Sequence, residues 1–302
     1  MGQTVAETIK EITREHLTKN NGLLLGQAIT AVGWVNNTVP NCPGIIELSN
    51  ADVAGSGIAV GVALANRRPI FVLRFQDFIF LASSPLVNFS GKSKEVYNLS
   101  SPIFVRAIAT EGAGPNHSGN HHNIFMHIPG FRVWSPMTSQ EYRETWKDFM
   151  EHDDPVIVSE HRKSFQFDRE LPDLLVEDAD ITLYSISITR FNVLEAIEIL
   201  KKEKIRCNVI NIVQLKPLSI NERLLDPLMQ SKAGVVLDPS YELAGTSQSI
   251  AYQLMMVSGF PVRACGIFDI PPFFAPQFEN KAPEPLRIVE VVKEVLQQKK
   301  NW

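Results

Sequence analysis

In the first stretch of the chain Val5, Ile9 and Ile12, followed by His16, recur at intervals of four, three and four. That spacing lines one face of a 3.6-residue period and predicts an amphipathic helix over residues 4–18. Downstream, short apolar runs alternate with helical patterns. Runs at Leu23–Leu25, Ile45–Leu48, Ile70–Phe75, Ile103–Ile108, Val156–Ser159, Ile181–Ser185, Asn208–Val213, Val235–Asp238 and Val262–Gly266 predict strands. Helical patterns lie near 52–65, 80–97, 139–151, 190–203, 219–230, 245–257 and 285–298. Near-continuous apolar strands separated by helices are those of parallel sheets covered on both faces. Periodicity is weakest over residues 160–178, which predicts a linker there. The expected fold class is α/β, with two parallel-sheet domains at residues 1–170 and 171–302.

Length and composition agree. The chain has 302 residues, 44% apolar and 21% charged, which suits two globular domains of ~150 residues each. No apolar run approaches the ~18 residues of a membrane span, and mean hydropathy is −0.02. A net charge of −4 argues against a nucleic-acid surface. Cys42, Cys207 and Cys265 are scattered, with neither a disulfide framework nor a metal knuckle, and read as reduced core thiols. The first residues lack a basic and apolar leader, so the chain is expected to be cytoplasmic. The basic runs Lys201–Lys204 and Lys299-Lys300 read as solvated helix ends.

Two constellations invite chemistry on spacing alone. Gly55-x-Gly57…Gly61 follows an apolar strand, with Asp77 about twenty residues on, as in a dinucleotide-binding turn. Six residues intervene between strand and first glycine, however, so the alternative is a helix of small residues packed closely on a neighbour. His117, His121, His122 and His127 lie within one short stretch. His117-x-x-x-His121 has zinc-pair spacing only if helical, and the flanking glycine, proline and asparagine predict a loop. A loop histidine acting as proton donor or polar anchor is the other reading. The chain contains no G-x-S-x-G elbow, Walker loop or H-E-x-x-H motif.

The segment His117-Ser118-Gly119 through His127-Ile128-Pro129-Gly130-Phe131-Arg132-Val133 resembles the H-S-Q…H-x-P-G-x-x-V stretch of a known family. That family comprises the β subunits of the decarboxylating component of 2-oxoacid dehydrogenases, transketolase-like enzymes dependent on thiamine diphosphate. Gly57-x-Ala59-x-Gly61-x-Ala63, Arg68-Pro69 and Phe75-x-Asp77-Phe78 resemble its G-x-A-x-G-x-A, R-P and F-x-D-[FY] pieces in order. Asp153-Asp154-Pro155-Val156 and Glu160-His161 resemble the close of its first domain. Asp180-Ile181-Thr182, Leu215-Lys216-Pro217-Leu218 and Asp269-Ile270-Pro271 resemble pieces of its second.

The resemblance implies a pyrimidine-binding domain followed by a transketolase C-terminal-like domain. It also implies an α partner that holds the cofactor diphosphate and Mg²⁺, in an α₂β₂ assembly. The chain itself has no Gly-Asp-Gly motif followed by asparagine. Small 2-oxo acids are the implied substrates. The acyl or aldehyde unit would pass to a lipoyl group on an acyltransferase or to a second carbonyl compound.

The family sets a glutamate against N1′ of the cofactor's aminopyrimidine. The matching residue here is Asp52, one methylene shorter, with Asn50 beside it as a cofactor contact. Asp52 also suits the N-cap of the following helix, and both roles can hold. Leu25-Gly26-Gln27 stands where the family has Gly-Glu-Asp or Gly-Glu-Glu, so Gln27 contacts cofactor without relaying a proton as an acid can. The loop from Gln27 to Pro43 is shorter than in the dehydrogenases, and Glu47 matches a strand acid that faces structure. Phe78 and Phe75 match aromatics beside the pyrimidine, or else belong to the core. His117 matches the catalytic histidine and His127 a structural one, whereas His121 and His122 either adjust the substrate pocket or are exposed. Because Asp52 and Gln27 depart from the pattern, a catalytically degenerate subunit that stabilises or regulates an active partner is the alternative function.

Overall fold

The computed structural model describes residues 2–31, 35, 37–273 and 280–299. In chain order the elements are α1 (Val5–Lys19), β1 (Leu23–Gln27), β2 (Ile45–Leu48), α2 (Asp52–Leu64), β3 (Pro69–Leu73), α3 (Ile79–Pro85), α4 (Gly91–Tyr97) and β4 (Phe104–Ala109). Then come α5 (Asn123–His127), β5 (Arg132–Trp134), α6 (Ser139–Glu151), β6 (Val156–His161), β7 (Ile181–Ser185), α7 (Thr189–Lys202), β8 (Cys207–Asn211) and β9 (Gln214–Lys216). The rest are α8 (Glu222–Ser231), β10 (Gly234–Tyr241), α9 (Thr246–Ser258), β11 (Val262–Ile267) and α10 (Pro285–Lys299).

Two compact units result, Met1–Glu170 with Gln214–Pro217, and Leu171–Val213 with Leu218–Trp302. The first carries a sheet in the order β2-β1-β3-β4-β6-β5-β9, parallel except for the antiparallel β5–β9 pair. That pairing draws Gln214–Pro217 into the first unit. The sequence pattern misses β5 and β9, because three residues each are too few to show a period. The central strands β3, β4 and β6 are buried along their whole length, as strands covered on both faces must be. The second unit carries a parallel sheet in the order β11-β10-β7-β8. Its core gathers Ile181, Leu183, Val193, Leu200, Val235 and Val292.

Several expectations are corrected. The stretch read as a linker from residue 160 begins inside β6, where Glu160 and His161 are buried. Their polarity hides the strand, and Glu160 is spent on a buried ion pair. Arg106 Nε and Nη2 donate to its two oxygens at 2.7 and 2.9 Å, and Tyr142 donates at 2.8 Å. The single helix read over 80–97 arrives as α3, a π-type turn at Leu86–Ser90, and α4. Pro85 lacks an N–H for the helical ladder. Gly91 has no room for a side chain, since a Cβ there would lie 2.5 Å from the Phe131 ring. Cys207 and Cys265 are buried, but Cys42 is only half-buried. Lys299 is no solvated tail: its Nζ donates to Asp180 O and Ser231 O at 3.0 and 2.7 Å. Lys300 lies outside the described residues, as do residues 32–34 and 36 of the loop read as shortened.

Candidate functional site

Parallel strands end together, and their carboxyl ends are where open α/β sheets place ligands. In the first unit the register aligns Gln27 with Leu48 and Gly26 with Val72, so β2, β1 and β3 finish side by side. The sequence-predicted site residues fall on this rim. Gln27 ends β1, Asn50 and Asp52 follow β2, and Phe75 and Phe78 follow β3.

Asp52 opens α2 but does not cap it. Ala51 holds the cap position, and no side chain makes a capping bond there. The N-cap reading is thereby corrected. The Asp52 carboxylate is half-buried and makes no hydrogen bond among the described residues. It acts on the guanidinium of Arg74, one residue past β3. Burial lowers the pKa of Arg74, and the charges of Glu47 and Asp52 offset part of that. Asn50 is exposed. Of the two readings of Gly55, Gly57 and Gly61, the closely packed helix is the one found: all three lie inside α2. A Cβ at Gly55 would lie 3.1 Å from Leu48 and 3.7 Å from the Phe71 ring, so the helix sits close on the sheet.

Gln27 is buried, and among the described residues its Oε1 has no donor. Ala28 follows in the left-handed region at φ 48°. Glu47 holds the chain beyond that bend, accepting from the amides of Ile29 and Thr30 at 3.0 and 3.1 Å. Its role is structural.

Phe75, Phe78 and His117 come together. The His117 ring meets Phe75 edge-on at 4.4 Å and Phe78 at 5.6 Å between centroids. Phe75 is buried, Phe78 and His117 half-buried. The Arg162 guanidinium covers the Phe75 ring at 4.7 Å, and its Nη2 donates to Arg74 O at 2.9 Å. His117 sits in a tight turn, its amide donating to Gly114 O at 3.2 Å.

The other histidines separate. His121 is buried against Asp77 at 3.2 Å, and His122 is fully buried with Nδ1 3.2 Å from Ser159 Oγ. Neither is exposed. His127 ends α5 and is exposed. His117 and His121 thus serve different partners, and among the described residues no group of three His, Cys, Asp or Glu could hold a metal ion. Gly130 lies at φ 77°, and a Cβ there would fall 1.8 Å from Gly91 O, so the turn after His127 admits only glycine.

Sequence reasoning missed Gln76, Arg74 and Arg162. Asp77 entered it only as a motif letter. Burial alone raises the Asp77 pKa, but hydrogen bonds from His121 and the Gly119 amide outweigh it and hold the carboxyl below its ordinary value. The contacts span 42 and 44 residues, a distance at which spacing carries no signal. No described helix is long and apolar enough to cross a membrane.

Residues 51–167 match the pyrimidine-binding domain of transketolase, and residues 172–283 match the transketolase C-terminal domain. The chain therefore belongs to the transketolase-like family, with both of those domains in order. Its relatives narrow the class. It is 25% identical over 272 residues to the pyruvate dehydrogenase E1 component subunit beta of Rickettsia felis, covering 83% of each chain. It is 24% identical over 255 residues to the acetoin:2,6-dichlorophenolindophenol oxidoreductase subunit beta of Cupriavidus necator, covering 78% of this chain and 75% of that one. In fold it resembles a split-gene transketolase described as an inactive β4 tetramer, with TM-score 0.77, 18% identity, and 99% and 100% of the two chains covered.

Proposed function

We propose that the chain is the β-type subunit of a heteromeric thiamine-diphosphate enzyme that decarboxylates a small 2-oxo acid. The cofactor is shared with an α subunit that holds the diphosphate and Mg²⁺, in an α₂β₂ complex of the cytoplasm. The acyl or aldehyde unit passes to the lipoyl group of an acyltransferase or to a second carbonyl acceptor. The relatives' names, pyruvate dehydrogenase and acetoin oxidoreductase β subunits, support this class.

The residues of the rim fit an aminopyrimidine. Among the described residues Gln27 Oε1 is a buried acceptor without a donor, and a polar edge would satisfy it. Phe75 and Phe78, which meet edge-on after β3, would offer aromatic area to the ring. Asp52 is the single observation that carries the reading: a half-buried carboxylate, free of capping duty, on the sheet's carboxyl rim. When bound, thiamine diphosphate supplies a nucleophilic carbon and an electron sink for the loss of CO₂. Asp52 holds the proton at ring nitrogen N1′, and Asn50, just before it, lines the approach. His117, its ring fixed by two aromatic edges, delivers a proton to the substrate oxygen.

The test is turnover of a panel of small 2-oxo acids by the complex with its α partner, for the wild type and Asp52→Ala. The variant should lose about 100-fold or more. Equal rates would remove Asp52 from the mechanism. An assembled complex that retains no thiamine diphosphate would point to the degenerate, stabilising subunit instead.

A further inference from the structure

His117 sits on a loop, and a loop holds a catalytic group only as well as it is itself held. The turn Gln76–Phe78 does the holding. Phe75 enters this turn and Phe78 closes it, and both rings flank His117. Between them, Gln76 and Asp77 point to the same loop three residues or fewer beyond Ser118. Asp77 Oδ2 accepts from the Gly119 amide at 3.0 Å, and Oδ1 lies 3.2 Å from His121 Nε2. Gln76 Oε1 accepts from the His121 amide. Gln76 is anchored in turn, donating to Ala107 O at 3.1 Å and Ser159 Oγ at 3.0 Å, on the central strands β4 and β6.

The imidazole of His121 folds back over Gly119. A Cβ at that glycine would fall 1.8 Å from His121 Nε2 and 2.7 Å from Asp77 Oδ1, so the ring occupies the space a side chain would fill. The edge of Phe80 closes the other side at 4.7 Å between centroids. With a carboxylate as neighbour, Nε2 carries the proton and donates it.

We infer that His121, through its hydrogen bond to Asp77, is a positioning residue that fixes the His117 loop against the Phe75–Phe78 turn. The inference rests on the reading of His117 as the catalytic histidine. Asp77 reaches the loop at two points on the same side of His117, and the two aromatic edges then set its ring. Loss of the His121 donor removes one of the two ties from Asp77 to the loop, and the ring of His117 gains freedom of about an ångström, enough to cost up to ~100-fold in rate.

Two substitutions separate the donor from the bulk. His121→Phe keeps the ring and its contact with Phe80 but removes the donor. His121→Gln returns an N–H close to the position of Nε2. Ring resonances of His117 in the full chain, labelled with ¹⁵N-histidine, are compared with turnover in the complex with the α partner. The expected result for His121→Phe is broadened or doubled His117 resonances and a kcat lowered about 10- to 100-fold with KM within about 2-fold. Thermal midpoint should stay close to wild type, and His121→Gln should restore both readouts. Unchanged His117 resonances in His121→Phe would overturn the positioning role, whatever the turnover. Altered resonances with unchanged turnover would keep the positioning role and defeat the catalytic reading of His117. Should His121→Phe not fold, His121→Leu removes the donor with a smaller apolar side chain and the same two expected outcomes.

Discussion

Gln27 and Asp52 share one property: among the described residues, neither the Gln27 amide oxygen nor the Asp52 carboxylate at the sheet rim accepts a hydrogen bond. For Gln27 this has a measurable consequence. A buried amide oxygen without a donor costs about 1–3 kcal/mol. Gln27→Met, nearly isosteric, should raise the stability of the chain by about 1 kcal/mol in urea unfolding and weaken thiamine diphosphate binding by the complex. A stabilised variant with unchanged binding would remove Gln27 from the cofactor site. The meeting of Phe75, Phe78 and His117 follows the order of the motifs that singled them out. Asp77's hold on the loop and the buried state of His121 were not legible, because both depend on a contact between segments far apart in sequence.

Strand β6 shows how an element can be hidden by its own interior. Glu160 and His161 look like linker residues, yet both are buried. Glu160 is stable there only because Arg106 and Tyr142 meet it. Glu160→Ala should destabilise by about 3–5 kcal/mol, measured by chemical unfolding, since Arg106 would stay buried without its counter-charge. His161 has the opposite problem. Burial holds its pKa down at about 4, with the Glu111 charge opposing and Lys163 and Arg162 assisting. The neutral ring is therefore native, and protonation favours unfolding. Stability from this site is full above the unfolded pKa of ~6.5 and is lost as pH falls toward 4, by about 3 kcal/mol at pH 4. His161→Gln should flatten the stability profile between those pH values. An unchanged slope would assign the acid sensitivity elsewhere, His16 being a second buried imidazole lowered in the same direction by burial. Long elements with a clear period were readable to within a few residues. The break at Pro85–Gly91 and the three-residue strands were not, because tertiary contacts decide them.

At the scale of the molecule, apolar side chains remain uncovered. In the first unit Val53, Ile58, Phe80, Leu81 and Phe89 are about half exposed along α2, α3 and the turn after it. In the second, Tyr252, Met256 and Val257 are exposed on α9. Surfaces of this kind belong to protein contacts. The isolated chain should sediment as a dimer or larger species, and a stable monomer would count against the heteromeric assembly. The parallel architecture was legible from the alternation of apolar runs and helices. The candidate site was legible only in part, since the motifs bring Phe75, Phe78 and His117 into view but not the contacts of Arg74, Gln76 and Arg162 around them.

The exchange rate of the thiamine C2 proton with deuterated solvent, read in the assembled complex, reports the work assigned to Asp52 before any substrate is added. It should be fast in the wild type and slower by about 100-fold or more in Asp52→Ala. The same rate in both proteins would contradict the central claim, that this carboxylate holds the proton on the pyrimidine.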